Sequence, residues 1–308
     1  MEQGEKQKKR WLKKLNRASV AARRGPLHRL LFDPLAYLTG VGHHRLIYSI
    51  SQRTWKRKAL TFFEQPMQLE LPAGLDIYLL KAKTHDSEIR LARYMIHHLK
   101  AGDTVIDIGA HFGFFALLAA QLTGREGRVL AVEAAAPTYQ LLSENLKHTP
   151  QATALHAAIS DQQGTMKFYE FPALYSEYNT ADAAQYRQVA ASTGITAREV
   201  EVPSLTLNYL IEQEGLQPGF IKLDVEGAEL RVLKGAEAWL KQGSGVLAME
   251  YLASAKSDST HRHAVEMLAG FGWQPHRIQA DGSLQPCPDI ATYLAREGLD
   301  SDNIIFRT

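Results

Sequence analysis

An α/β fold built on a mostly parallel sheet is the class this sequence predicts, and three observations predict it. Residues 103 to 120, DTVIDIGAHFGFFALLAA, pass from apolar residues at Val105, Ile106 and Ile108, through glycines at 109 and 113, into an apolar run at helical spacing. Residues 127 to 148 repeat that order, with the strand GRVLAVE ending in Glu133 and a helix opened by Pro137. Residues 219 to 240 repeat it again: Phe220, Ile221, Leu223 and Val225 read as a buried strand, and after Gly227 the residues Leu230, Leu233, Ala236 and Leu240 share a helical face. Strands that alternate with helices make a doubly wound sheet, which collects its ligand at the carboxyl ends of the strands.

The first glycine turn specifies the ligand further. A glycine there lets the backbone approach a bound molecule closely, and the helix that follows aims N–H groups at it. Glu133 stands 24 residues beyond Gly109, where a doubly wound fold places an acid that accepts hydrogen bonds from ribose hydroxyls. The G-x-G-x-x-G pattern of a dinucleotide site is absent. Asp107 stands in the turn instead, followed by Gly109, Ala110, His111 and Gly113. An acid here repels a pyrophosphate but suits a ligand bearing a sulfonium and an amino group, so the expected cofactor is S-adenosyl-L-methionine.

DIGAHFGFFALLAA, then AVEAAAPTYQLLSENLKH, then IKLDVEGAELRVLKGAEAWL together resemble the FkbM family of S-adenosylmethionine-dependent methyltransferases, over roughly residues 85 to 251. DVEGAE is the most specific of the three segments. His111 replaces the usual Asn of the family and Ala134 its usual Pro. The resemblance implies a Rossmann-like seven-stranded methyltransferase fold. It places cofactor contacts at Asp107, Gly109, Ala110, His111, Gly113 and Glu133. It also suggests that a carboxylate after the third strand receives the adenine amine; Asp161 stands there, either in that role or as a simple turn residue.

Charge divides the chain unevenly. Residues 1 to 60 hold fifteen Lys or Arg against three Asp or Glu, while the whole chain is near +2, so the remainder stands near −10. The single cysteine, Cys287, can form neither an internal disulfide nor a zinc cluster, which favours a reducing compartment and a cytoplasmic protein. The basic start lacks the apolar core of a secretion signal, and no apolar run is long enough to span a bilayer.

These features divide the chain into a basic helical N-terminal extension, residues 1 to 64, and a methyltransferase domain, residues 65 to 308. In the extension, Trp11, Leu15, Ala18 and Ala22 fall at helical spacing among lysines and arginines. That pattern fits either a basic amphipathic helix resting on the inner membrane surface or an acidic partner, or a solvated arm. Residues 35 to 60 carry enough apolar surface for a helical cap. MQLELPAGLDIYLL, residues 67 to 80, alternates around Pro-Ala-Gly and predicts a two-stranded hairpin, and a helix ending near Gly102 follows. Residues 165 to 210 form an insertion: strands TMKFYEF and REVEVPSLTL flank a polar stretch with Tyr175, Tyr178 and Tyr186, read as a substrate-facing lid. The end of the chain predicts an antiparallel edge.

Methyl transfer to a hydroxyl needs alignment and a nearby proton acceptor. Asp224 at the end of its strand is the first candidate, Glu226 and Glu250 the next, and His85 the outsider. Glu229 serves as a cap for the helix turn. Such carboxylates can instead hold a magnesium ion, but no ligand set of clear spacing appears and no metal is expected. The expected acceptor is a hydroxyl of a sugar, polyketide or related small or glycan-linked molecule, not a nucleic acid. An NAD(P)-dependent oxidoreductase on a similar fold and a non-catalytic cofactor-binding module are the rival classes.

Overall fold

A computed structural model describes residues 2–253 and 258–308. Thirteen strands occur among them: β1 (Trp55–Leu60), β2 (Pro66–Leu71), β3 (Thr104–Ile108), β4 (Arg128–Glu133), β5 (Ala152–His156), β6 (Ala158–Ser160), β7 (Gly164–Glu170), β8 (Arg198–Thr206), β9 (Phe220–Leu223), β10 (Val246–Leu252), β11 (Gln274–Ile278), β12 (Leu284–Pro286) and β13 (Ser301–Arg307). The main sheet has the order β12-β11-β13-β10-β9-β3-β4-β5. It is Rossmann-like, parallel from β10 to β5 and closed by antiparallel pairing of β13 with β10 and β11.

The sheet has eight strands where seven were expected. The extra one is the three-residue β12, which pairs with β11 across the Asp281-Gly282 turn and adds a short outer edge. A helix at Ile290–Glu297, capped by the Asp289 side chain, leads into β13.

Chain order reverses between β3 and β9: from β3 the chain proceeds to β4 and β5 on one side, and from β9 to β10 on the other. The two inner strands are buried on both faces, mostly by apolar residues, with the paired Asp107 and Lys222 as the exception. One layer of core gathers Phe114, Leu117 and Leu118 with Ile89 and Met95; the other gathers Ile221, Val232, Trp239 and Trp273.

Several local expectations are corrected. The segment after β9 forms two short helices, Glu229–Lys234 and Glu237–Gln242, not one. A Cβ on Gly235 would lie 2.1 Å from the Ser160 carbonyl oxygen, so the chain at this break presses directly on β6. After the Ala136–Leu146 helix the third strand breaks at Ala157: β5 stays in the main sheet while β6 joins β7 and β8 in a second, three-stranded sheet. The 165 to 210 insertion is folded throughout, a β7–β8 hairpin carrying a short helix at Ala173–Tyr178 and a longer one at Ala183–Thr193.

The N-terminal region also differs. The hairpin partner of β2 is β1, and Leu75–Leu80 is a helix, so the pairing straddles the boundary expected at residue 64. Pro72 after β2 and the turn Pro72–Gly74 stop the alternation from continuing as a strand. Glu2–Arg23 is one helix, not a solvated arm. Trp11 and Leu15 are 2% and 1% exposed, with Trp11 edge-on to Phe63. Ion pairs of Arg10 and Lys14 with Glu64, and of Arg23 with Asp86, fix its polar side. Three bulky or aliphatic side chains at helical spacing outweigh the helix's high lysine content once a groove exists to bury them.

Candidate active site

The tips of β3 and β9 meet at the reversal point. The Asp224 N–H donates to the Ile108 carbonyl at 3.1 Å. Gly109 has φ +78°, and a Cβ there would lie 1.7 Å from the Asp224 carbonyl oxygen, so only glycine fits. The N–H groups of Gly109 and Ala110 both donate to the Val132 carbonyl at 3.0 Å, which folds the turn back over β4.

His111 sits next in the left-handed region, φ 51°, a conformation that His and Asn tolerate better than bulkier residues. Its N–H donates to Glu133 Oε2 at 2.8 Å, and its Nε2 lies 2.9 Å from the Ser176 hydroxyl. Burial pushes its imidazole down to about 4, so the ring is neutral at pH 7.

Glu133 receives two further bonds on Oε1, from the Ala135 N–H at 2.9 Å and the Thr138 hydroxyl at 2.8 Å. A carboxylate offers roughly four acceptor positions. Three are filled by the protein, leaving room on Oε2 for one outside donor. Burial raises its pKa above the usual carboxylate value even though those three bonds oppose the shift.

Above these tips opens a cavity of about 700 Å³. Gly109, Ala110, His111 and Glu133 line it together with Ala157 to Ile159, and so do Asp224, Glu226, Glu250 and the exposed His85. His85 occupies the cap position of the Asp86–His98 helix and lies 2.7 Å from the Ser87 hydroxyl.

Three expected contact residues fall elsewhere. Asp107 is buried and not among the cavity's lining residues, sitting in register with Lys222 and 3.6 Å from its ammonium. Gly113, with φ +87°, packs toward Leu142. Asp161 bonds the Ser160 hydroxyl and stands 4.0 Å from Arg231, in a separate shallow pocket. Its chain turns away where β6 leaves the main sheet.

The carboxylates are unequal. Burial pushes Asp224 up, but the Lys222 ammonium 2.8 Å away outweighs it and holds the carboxyl below the ordinary range. Glu226 and Glu250 are both pushed well above that range, first by burial and then by the charge of Asp224. One oxygen from each of the three lies within 4.8 Å of the others, a spacing that a shared proton or a divalent cation can occupy. Glu226 is held in the left-handed region, φ 52°, with its carbonyl accepting the Thr180 hydroxyl at 2.7 Å. Glu229 accepts the N–H groups of Val225 and Gly227, the cap expected of it.

Further residues complete the walls. Lys222 is buried on β9 with its ammonium 2.8 Å from Asp224. Lys83 lies against Glu88 and 3.4 Å from Glu177; beside them the buried Asp76 carboxyl is raised to about 7 by desolvation and by the charges of Glu88 and Glu177. From the insertion come Ser176, Glu177, Tyr178 and Gln185. Tyr178 was among the aromatic residues of the expected lid, while Ser176, Glu177 and Gln185 carried no signal beyond the length of the insertion.

No helix among the described residues is long and apolar enough to cross a membrane. Comparison with known proteins gives a consistent result. Residues 107–272 match the family described as the methyltransferase FkbM domain. The chain is 30% identical over 197 residues to the 31-O-demethyl-FK506 methyltransferase FkbM of Streptomyces tacrolimicus, covering 55% of this chain and 75% of that protein. It is 28% identical over 167 residues to the methyltransferase sdnD of Sordaria araneosa, covering 47% of this chain and 64% of that protein. Among solved structures, a methyltransferase FkbM from Methylobacillus flagellatus KT aligns at 16% identity and a TM-score of 0.43, covering 77% of this chain and 53% of that one. With the family match spanning more than half of the sequence, the chain belongs to the FkbM family of S-adenosylmethionine-dependent methyltransferases.

Proposed function

We propose that the enzyme is an O-methyltransferase acting on a hydroxyl of a sugar, polyketide or related small or glycan-linked acceptor. The observation that carries this reading is the carboxylate trio, one oxygen of each within 4.8 Å of the others, with Lys222 2.8 Å from Asp224 holding it below the ordinary range while burial and the charge of Asp224 push Glu226 and Glu250 well above it. A hydroxyl is a weak nucleophile near neutrality. It needs a base that is basic enough to accept its proton and close enough to do so as the new bond forms. An ordinary solvated carboxylate is too acidic for that task, and burial next to Asp224 corrects the mismatch.

The residues suit the cofactor as well. Glu133 has one acceptor position open for a ribose hydroxyl, the Ala157 to Ile159 wall offers small apolar contact for a base, and the cavity carries more carboxylates than ammonium groups. When bound, S-adenosylmethionine supplies a methyl group on a cationic sulfur, which this negative surface favours. Glu226 or Glu250, once ionised, would take the acceptor's single proton, Asp224 would remain the anion that tunes them, and Lys222 would hold Asp224 in place. The neutral His111 fixes the turn through Ser176 and has no proton-transfer role. The relative from Streptomyces tacrolimicus is named for a methylation at oxygen, which supports the choice of acceptor atom.

The test is a panel of hydroxylated sugars and polyketides incubated with enzyme and S-adenosylmethionine, read by mass spectrometry for one methyl in place of one hydrogen. Methylation at oxygen in the wild type, lost in Glu226→Gln and Glu250→Gln, is expected. Transfer to nitrogen or carbon acceptors alone would reject the proposal.

A further inference from the structure

Among the described residues, most of the exposed large apolar side chains lie in the N-terminal segment from Val20 to Leu60. Leu27 and Leu31 stand 63% and 70% exposed on the Pro26–Phe32 helix, four residues apart. The next helical stretch runs from Pro34–Gly42 through a π-wound turn, His43–Tyr48, to Ser49–Ser51. It turns Ala36, Gly40, His43 and Tyr48 inward and presents Leu35, Leu38, Leu46 and Ile50 to solvent. Its amphipathicity therefore has apolar residues on both sides: small or hydrogen-bonding residues pack on the protein, and long aliphatic ones face out. A solvated surface does not select such a stripe.

Its surroundings say what covers it. Residues 20 to 60 contain eight Lys or Arg and a single acid, Asp33, which is already paired with Lys81 at 2.9 Å. Arg45 lies on the stripe itself, and Lys56, Lys58 and the half-exposed Leu60 share the outward side of β1. A second copy of this chain would bring like charges together across a symmetric contact. The exposed residues are leucine and isoleucine, without the aromatic anchors that mark a protein-binding centre. Aliphatic side chains rimmed by arginine and lysine match the boundary between acyl chains and anionic headgroups.

The Glu2–Arg23 helix is not the contact, because its apolar side is buried in the protein core. From these observations we infer that the face formed by residues 27 to 60 docks on an anionic lipid bilayer. The docked face adjoins the active-site cavity. Leu75 and Tyr78 pack against Gly40 while Ile77 of the same helix lines the cavity, and the Tyr48 hydroxyl accepts the Leu174 N–H at 3.4 Å, next to Ser176 and Tyr178 at the mouth. A bilayer under this face would lie beside the entrance.

Full-length protein is sedimented with vesicles of phosphatidylcholine alone or mixed with phosphatidylglycerol, at low and high salt. Binding to the mixed vesicles, weakened by salt, is expected. The variant Leu31→Ser/Leu35→Ser/Leu46→Ser/Ile50→Ser should bind at least about tenfold more weakly. Arg45→Ser/Lys56→Ser/Lys58→Ser should lose about fivefold per charge removed at low salt. Calorimetric affinity for S-adenosylhomocysteine, equal in wild type and variants, verifies folding and keeps this test separate from the acceptor chemistry. Wild type that stays in the supernatant, an aliphatic variant that binds as well as wild type, or a concentration-dependent dimer burying this face without vesicle binding would each overturn the inference.

Discussion

Gly109 and Asp224 lie so close that the α-carbon of one rests against the backbone carbonyl of the other, joining the two strand tips that frame the cavity. Any Cβ at position 109 must push β9 away and must also adopt φ +78°. Gly109→Ala should lower stability by more than about 2 kcal/mol, read as a fall in midpoint on chemical denaturation. A variant as stable as wild type would mean that the tips separate freely.

The trio predicts an unusual pH profile. Glu226 and Glu250 have raised native pKa values, so each keeps its proton to a higher pH than a free carboxyl near about 4.3. Turnover should be absent while they are protonated and should appear as pH rises through that raised value. Native stability should decline as pH rises from about 4.3 toward that raised value, because the unfolded chain releases these protons first. Asp224→Asn removes the negative charge that helps raise them, and its activity limb should move to lower pH. An unmoved limb would remove these two glutamates from the proton path. Glu226→Gln and Glu250→Gln should each lower kcat at least about 100-fold.

His111 should remain neutral across the working range. With burial pushing its ring down to about 4, its imidazole proton signals should stay constant between about pH 5.5 and 8 in NMR spectra. His111→Asn, which keeps a residue tolerant of the left-handed region, should preserve S-adenosylhomocysteine affinity within about threefold. A titration near neutrality would put a charged ring in the turn and contradict its passive role.

Trp11 anchors the first helix. Trp11→Ala should cost about 3–5 kcal/mol in stability through the hole left beside Phe63. A loss below about 1 kcal/mol would show that the helix is only loosely held.

Much of this architecture was legible because it rests on short-range pattern. The β3 turn at Gly109, the β4 acid Glu133 and the β9 carboxylates all follow from alternation broken by glycine, and each lines the cavity. What the pattern hid depends on contacts distant in sequence. Trp11 and Leu15 read as a weak stripe until the Phe63 groove is formed by residues fifty positions away. Asp161 carries a plausible turn signal, yet the switch of β6 into the second sheet aims it elsewhere. Asp107 looks like a ligand group in sequence, and strand register sets it opposite Lys222 as a buried pair. Glu177 and Gln185 reach the cavity only through the fold of the insertion, and Lys83 reaches it from the link between the Leu75–Leu80 and Asp86–His98 helices.

Calorimetric titration of S-adenosylmethionine into wild type and Gly109→Ala tests most directly whether the joined tips of β3 and β9 form the cofactor site. One saturable site per wild-type chain, with affinity lost in a folded Gly109→Ala protein, is the predicted result. No uptake by wild type, or equal uptake by both proteins, would contradict it.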